Sequence, residues 1–107
     1  MRWISDPGHA WLEVSYAELA NAGAAIDDFS NCSYLNQTRN LIYLEEDCDA
    51  PKFIARLPYA VRKAIKDLPD LHIKSTQPHS NFVRRCPRLG EVRYGRFSPS
   101  SAQQVGR

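Results

Sequence analysis

YLEEDCDAPKF, residues 43–53, sets four acids, a cysteine and a proline between two apolar runs. The fold turns on where one element ends in that stretch and the next begins. Asp49 is a favourable residue to precede a helix, and Pro51 costs nothing in a first turn, where its missing N–H has no partner to lose. The apolar run through Leu44 therefore reads as a strand, and a helix starts after Asp49. Beyond it, Phe53, Ile54, Leu57, Val61, Ala64, Ile65 and Leu68 recur at helical spacing. Lys52, Arg56, Tyr59, Lys63 and Lys66 fall on the opposite face. Pro58 interrupts the pattern, because its ring clashes with the carbonyl of Ile54. The apolar stripe keeps phase across it, so the spacing predicts one kinked helix reaching Leu68.

Working outward, NLIYLEE and CSYL read as strands joined by the polar turn NQTRN. RWI and WLEV read as two more, joined by SDPGHA, in which Asp6-Pro7-Gly8 is a strong turn signal. A hairpin closing on that tripeptide sets Trp3 opposite Trp11 and turns Ile4, Leu12 and Val14 to the other face. SYAELANAG is a short helix with capping-box spacing at Ser15 and Glu18 and a terminating Gly23. LHIKST is a further strand with Leu71 and Ile73 inward, and NFVRRCPRL and EVRYGRF each suit a short edge strand. The expected fold is α+β: an antiparallel sheet of four to five strands packed on one main amphipathic helix, plus one short helix. The expected organisation is a single domain over 1–97 and a mobile, apolar-poor tail over 98–107.

The 107 residues suffice for one modest core, and 43% hydrophobic with 24% charged residues is the balance of a soluble globular domain. No run approaches the roughly 18 apolar residues of a membrane span, and the N-terminal residues lack an apolar signal core. Cys32, Cys48 and Cys86 are odd in number and widely spaced, which argues for a reducing cytoplasm over a disulfide framework. Charge divides along the chain. Residues 1–50 hold nine acids and two bases, a net −7, while residues 51–107 hold twelve bases and three acids, a net +9. One half either neutralises the other or presents a single-sign field to a partner.

No pattern of catalysis or metal binding emerges. Alternation along a strand would set Glu45 and Asp47 on one side and Glu46 and Cys48 on the other, which spoils a local cation cage. Cys32, Cys48, Cys86, His9, His72 and His79 show no zinc-site spacing, so no metal and no cofactor is expected. Each cysteine suits a small apolar filler role. Asp6 beside His9 suits a turn in which the carboxylate accepts from the backbone ahead. An enzyme built on Asp6, His9 or Cys48 remains an alternative. So does a nucleic-acid-binding module in the basic half, using Lys52, Arg56, Lys63 and Lys66 around Tyr59, or Arg84, Arg85, Arg88, Arg93 and Arg96 among Phe82, Tyr94 and Phe97.

DPGHAWLEV and, about thirty residues on, YLEEDCDAPKF together resemble a group of small proteins of bacteriophages and mobile elements that share D-P-G-H-x-W-L and Y-L-E-E-D-C-D-A segments. The resemblance covers roughly the first 57 residues. It implies an accessory protein in the cytoplasm of a bacterial host and carries no chemistry with it. Phage proteins of this size often block defence complexes, CRISPR effectors among them, whose nucleic-acid channels are lined with Lys and Arg. The expected function is therefore non-enzymatic: an anti-CRISPR-like inhibitor or modulator of a host defence or nucleic-acid-processing complex. Its contact would be an acidic surface of Asp27, Asp28, Glu45, Glu46, Asp47 and Asp49, with Trp3 and Trp11 as anchors.

Overall fold

The computed structural model describes residues 1–93. Tyr94, Arg96, Phe97 and the tail 98–107 lie outside the described residues, as does the greater part of the EVRYGRF segment. Five strands form one sheet: β1 (Arg2–Ser5), β2 (Ala10–Ser15), β3 (Tyr34–Asn36), β4 (Leu41–Glu45) and β5 (Asp70–His72). Their spatial order is β3-β4-β2-β1-β5. Among the described residues there are also four short α-helices, α1 (Tyr16–Asn21), α2 (Ala50–Ile54), α3 (Tyr59–Ala64) and α4 (Leu89–Arg93), and three 3₁₀ turns. The α+β class and the strand pairs β1–β2 and β3–β4 follow the sequence expectation.

The sheet is mixed, not antiparallel, because β5 runs parallel to β1. The chain leaves β4 at one side of the sheet, crosses it as α2 and α3, and returns beside β1. Pro69 O accepts the Trp3 amide at 2.8 Å and Ser5 O accepts the Ile73 amide at 2.6 Å, which fixes that register. Leu71, expected inward, is 40% exposed because β5 is an edge strand.

In the β1–β2 hairpin the partners are Trp3 with Leu12 and Ile4 with Trp11. This is one residue away from the expected Trp3–Trp11 pairing, and such a slip moves side chains to the opposite face. Asp6 decides it, since its amide pairs with the His9 carbonyl and its carboxylate accepts the Gly8 and His9 amides at 2.9 and 2.8 Å.

Both faces of the sheet are covered. On one, Leu12, Val14, Leu35, Ile42 and Leu44 pack against Leu19 of α1, Phe53 of α2, Leu57, Ile65 and Leu89. On the other, Ile4, Trp11, Tyr34 and Tyr43 pack against Val83 and Phe82. The central strands explain this arrangement, since AWL and LIYL are continuously apolar and a one-sided sheet would leave alternate residues wet.

α1 begins with the expected capping box, Ser15 Oγ accepting the Glu18 amide and Glu18 Oε1 accepting the Ser15 amide. Gly23 follows it at φ 70°, a left-handed position suited to glycine. The single kinked helix is not formed. Pro58 takes ψ 151°, an extended angle, and separates α2 from α3. The apolar stripe breaks with it, so that Leu57 and Ile65 are buried while Val61 is 38% exposed. The edge strand expected over NFVRRCPRL is not formed, and of EVRYGRF only residues 91–93 are described, in α4. Residues 78–80 form a single 3₁₀ turn, Arg88 makes one isolated bridge to Tyr34, and Leu89 opens α4.

Candidate functional site

Two buried carboxylates organise the surface around the acidic stretch. β4 ends at Glu45, and residues 46–49 form a turn that brings the chain round to α2. The Glu46 amide donates to Ala10 O, and the Cys48 and Asp49 amides both donate to Glu45 O. Glu45 Oε1 accepts the Asp47 amide at 2.9 Å. The strand alternation expected for residues 45–48 therefore does not apply. Asp49 stands at the start of α2 without capping its amides. Its carboxylate accepts instead from Ser30 N, Ser30 Oγ and Ser33 Oγ and pairs with Lys52 Nζ at 3.2 Å. Burial would push this carboxyl up, but those hydrogen bonds outweigh it and hold it below the ordinary carboxylate value.

Asp6 has the same role on the other face. Arg84 Nε donates to its Oδ2 at 2.7 Å and Asn81 Nδ2 donates to the same atom at 2.8 Å. Burial again opposes ionisation, and Arg84 together with the His9 and Gly8 amides overcomes it, leaving Asp6 lowered. Asp6 is thus committed to the turn and to the 81–84 segment, and is not the acid–base partner of His9.

Between these two anchors lies a cleft of about 310 Å³. Trp11 and Tyr34 form its floor, edge to face with ring centroids 6.1 Å apart. The Arg84 guanidinium lies 5.2 Å from the Trp11 ring and that of Arg88 lies 4.8 Å from the Tyr34 ring, which is cation–π geometry. The opposite rim carries His9, Glu45 and Asp47, with His9 Nδ1 3.4 Å from Glu45 Oε2. Cys32 completes the wall. A cationic, aromatic floor therefore meets an acidic rim in one depression.

The residues singled out in the sequence divide accordingly. Glu46 and Asp47 are exposed and form no ion pair among the described residues. Glu45 is half-buried against His9. Asp28 pairs with Arg56 at 3.2 Å and accepts the Ala25 amide, and Asp27 is exposed on the same 3₁₀ turn. Asp49 is 0% exposed and Trp11 1%, so the expected acidic surface loses Asp49 and the expected anchors lose Trp11. Trp3 packs on the helix-covered face, its indole N–H donating to Ile65 O at 2.9 Å. Of the basic set, Lys52 is committed to Asp49 and Arg56 to Asp28 and Gly23 O. Lys63 and Lys66 are exposed, without ion pairs among the described residues. Sequence reading misses Tyr34 in the cleft and Arg62 on α3, and it names Arg88 only within the basic C-terminal set and Cys32 only among the cysteines.

The cysteines are not three equivalent fillers. Cys86 is half-buried over the second face, its thiol donating to Phe82 O at 3.3 Å. Cys48 and Cys32 share a neighbourhood: Ser30 Oγ lies 3.3 Å from Cys48 Sγ and accepts the Cys32 amide at 3.1 Å. The neighbouring Cys32 thiol pushes Cys48 up, with burial and the Asp49 charge adding to it.

Among the described residues, no three His, Cys, Asp or Glu side chains are grouped to hold a metal ion, and no helix is long and apolar enough to cross a membrane. Comparison with protein-family models, with curated proteins and with solved structures finds no match.

Proposed function

We propose that the chain is a non-enzymatic binding protein of the phage or mobile-element kind that inhibits or modulates a host defence or nucleic-acid-processing complex. The acidic turn Glu45–Asp47 is its main contact. The observation that carries this reading is the exposure of Glu46 and Asp47 without a neutralising cation, on a turn held rigid by Ala10, Glu45 and the buried Asp49. A fixed pair of unscreened carboxylates meets a Lys- and Arg-lined channel with little ordering entropy to lose. The acidic surface is smaller than the six residues first expected, and Asp28 contributes through an existing ion pair. The test is capture of a nucleic-acid-processing or defence complex from a bacterial host lysate by wild type and by a Glu46→Lys/Asp47→Lys variant in parallel. Capture by wild type alone supports the reading, and equal capture by both removes the turn from it.

A second reading is favoured by the His9–Glu45 pair, which supplies an imidazole oriented by a carboxylate at the rim of a cleft with cations on its floor. Such a pair suits proton transfer on a small anionic substrate. In that case His9→Ala abolishes turnover while leaving the fold intact, and a screen of phosphate and carboxylate esters that shows no His9-dependent turnover dismisses it.

A further inference from the structure

All six residues of α3 are exposed. In a chain of this size that is an unusual use of a helix, because most helical stability comes from a buried apolar face. Here the ends hold it instead. Leu57 precedes α3 and Ile65 follows it, both buried in the main core, and Ile65 O takes the Trp3 indole N–H. The Arg62 amide returns to Pro58 O at 2.9 Å and closes the first turn. α3 is therefore pinned on both sides and stands clear of the core between them.

Its outer surface carries Tyr59, 65% exposed and the most exposed large apolar side chain among the described residues. Arg62 lies 5.8 Å from the Tyr59 ring centroid and Lys63 lies 5.3 Å from it. Lys66, also exposed, follows on the 3₁₀ turn Ile65–Asp67 that continues from α3, so the stripe of four residues runs over two consecutive short elements. Arg62, Lys63 and Lys66 make no ion pair among the described residues, whereas Lys52 and Arg56 are neutralised by Asp49 and Asp28. The internal compensation expected for the basic half stops short of α3.

We infer that the Tyr59–Arg62–Lys63–Lys66 stripe, on α3 and the 3₁₀ turn that follows it, is a docking surface for single-stranded nucleic acid. The three cations match a run of phosphates, and the exposed phenol supplies a face for an unpaired base to stack on. A duplex keeps its bases paired and offers no such face, and an acidic protein would use the cations without the ring. This surface is independent of the acidic turn and of the reading built on it.

The test is fluorescence anisotropy of a labelled oligothymidylate with the full chain across a salt series. Three phosphate contacts give a slope of log K against log salt of about −2 for a single strand. Tyr59→Ala is expected to weaken binding about tenfold with that slope unchanged. Lys63→Gln with Lys66→Gln is expected to flatten the slope by about one unit or more. All these positions are exposed, on α3 or the 3₁₀ turn after it, so folding is not at stake. The inference is overturned by no binding at low salt, by binding that neither variant weakens, or by equal binding of the matching duplex. Displacement by polyglutamate as effective as by unlabelled strand also overturns it, in favour of an acidic protein.

Discussion

Asp6 and Arg84 lie 78 residues apart in sequence, and Nε of one meets Oδ2 of the other at 2.7 Å with the carboxylate fully buried. This contact fastens the C-terminal segment across the second face of the sheet, over Ile4, Trp11 and Tyr43. Arg84→Ala leaves the carboxylate buried without its cation and is expected to cost about 3 kcal/mol. It also removes the cation over Trp11, so both a lower urea midpoint and a change in tryptophan fluorescence should appear.

The same contact sets an acid limit. Asp6 and Asp49 are both lowered in the folded protein, so each contributes stability that is present above the unfolded carboxylate pKa of about 4 and lost as pH falls through the folded value. Unfolding free energies measured from neutral pH downward should fall below about pH 4. In Asp6→Asn that decline should be shallower from a lower starting stability, because one of the lowered carboxylates is gone.

Asp49 is a structural residue set inside a surface acidic run. Asp49→Ala strands the donors of Ser30 and Ser33, and a loss of about 3 kcal/mol is expected in equilibrium denaturation. Asp49→Asn retains acceptor capacity and should lose less. Neither variant should change partner capture once the folded fraction is matched, whereas Glu46→Lys/Asp47→Lys should.

Cys32 and Cys48 both hydrogen-bond Ser30 Oγ, one through its amide and one through its thiol, and are expected to exchange with an added disulfide. Oxidised glutathione should convert the pair to an intramolecular disulfide with release of two glutathione thiols, leaving Cys86 open to alkylation under denaturing conditions. Peptide mapping reads the link, and Cys32→Ser should abolish it while Cys86→Ser does not. Since the Cys48 thiol is raised, the rate should climb with pH. Separate glutathione adducts at Cys32 and Cys48 would show that the thiols cannot close.

Gly90 packs on Asn31, whose Oδ1 accepts its amide at 2.7 Å. A Cβ at Gly90 would overlap that carboxamide, so Gly90→Ala is expected to destabilise by about 2 kcal/mol in thermal unfolding. Asn31→Ala in the same chain should recover part of that loss if the overlap is its cause.

Local chemistry was legible wherever neighbours along the chain decide the outcome. The capping box of Ser15 and Glu18, the Asp6-Pro7-Gly8 turn, Gly23 after α1 and the helix start after Asp49 all depend on residues a few positions apart, and each is found. Apolar periodicity predicts a helix through Leu68, but Pro58 ends it. The residue takes an extended ψ, and α3 then departs from the core face that the stripe predicted for Val61. The hairpin register was misread by one position because sequence spacing does not reveal which amides Asp6 will accept.

The site was less legible for the same reason carried to longer range. Charge counting found the acids but could not tell that Asp49 is interior, because a run of acids looks alike whether a serine loop reaches it or not. By itself the sequence determined the α+β class, the antiparallel strand pairs and the local caps, which follow from backbone and side-chain preferences over a few residues. Tertiary structure alone decided that β5 joins β1 in parallel and that 78–88 covers the second face of the sheet. It also decided that Asp6 finds Arg84 and that Tyr59 is left outside. Those outcomes depend on which distant surfaces bury each other, and no short-range preference encodes that choice.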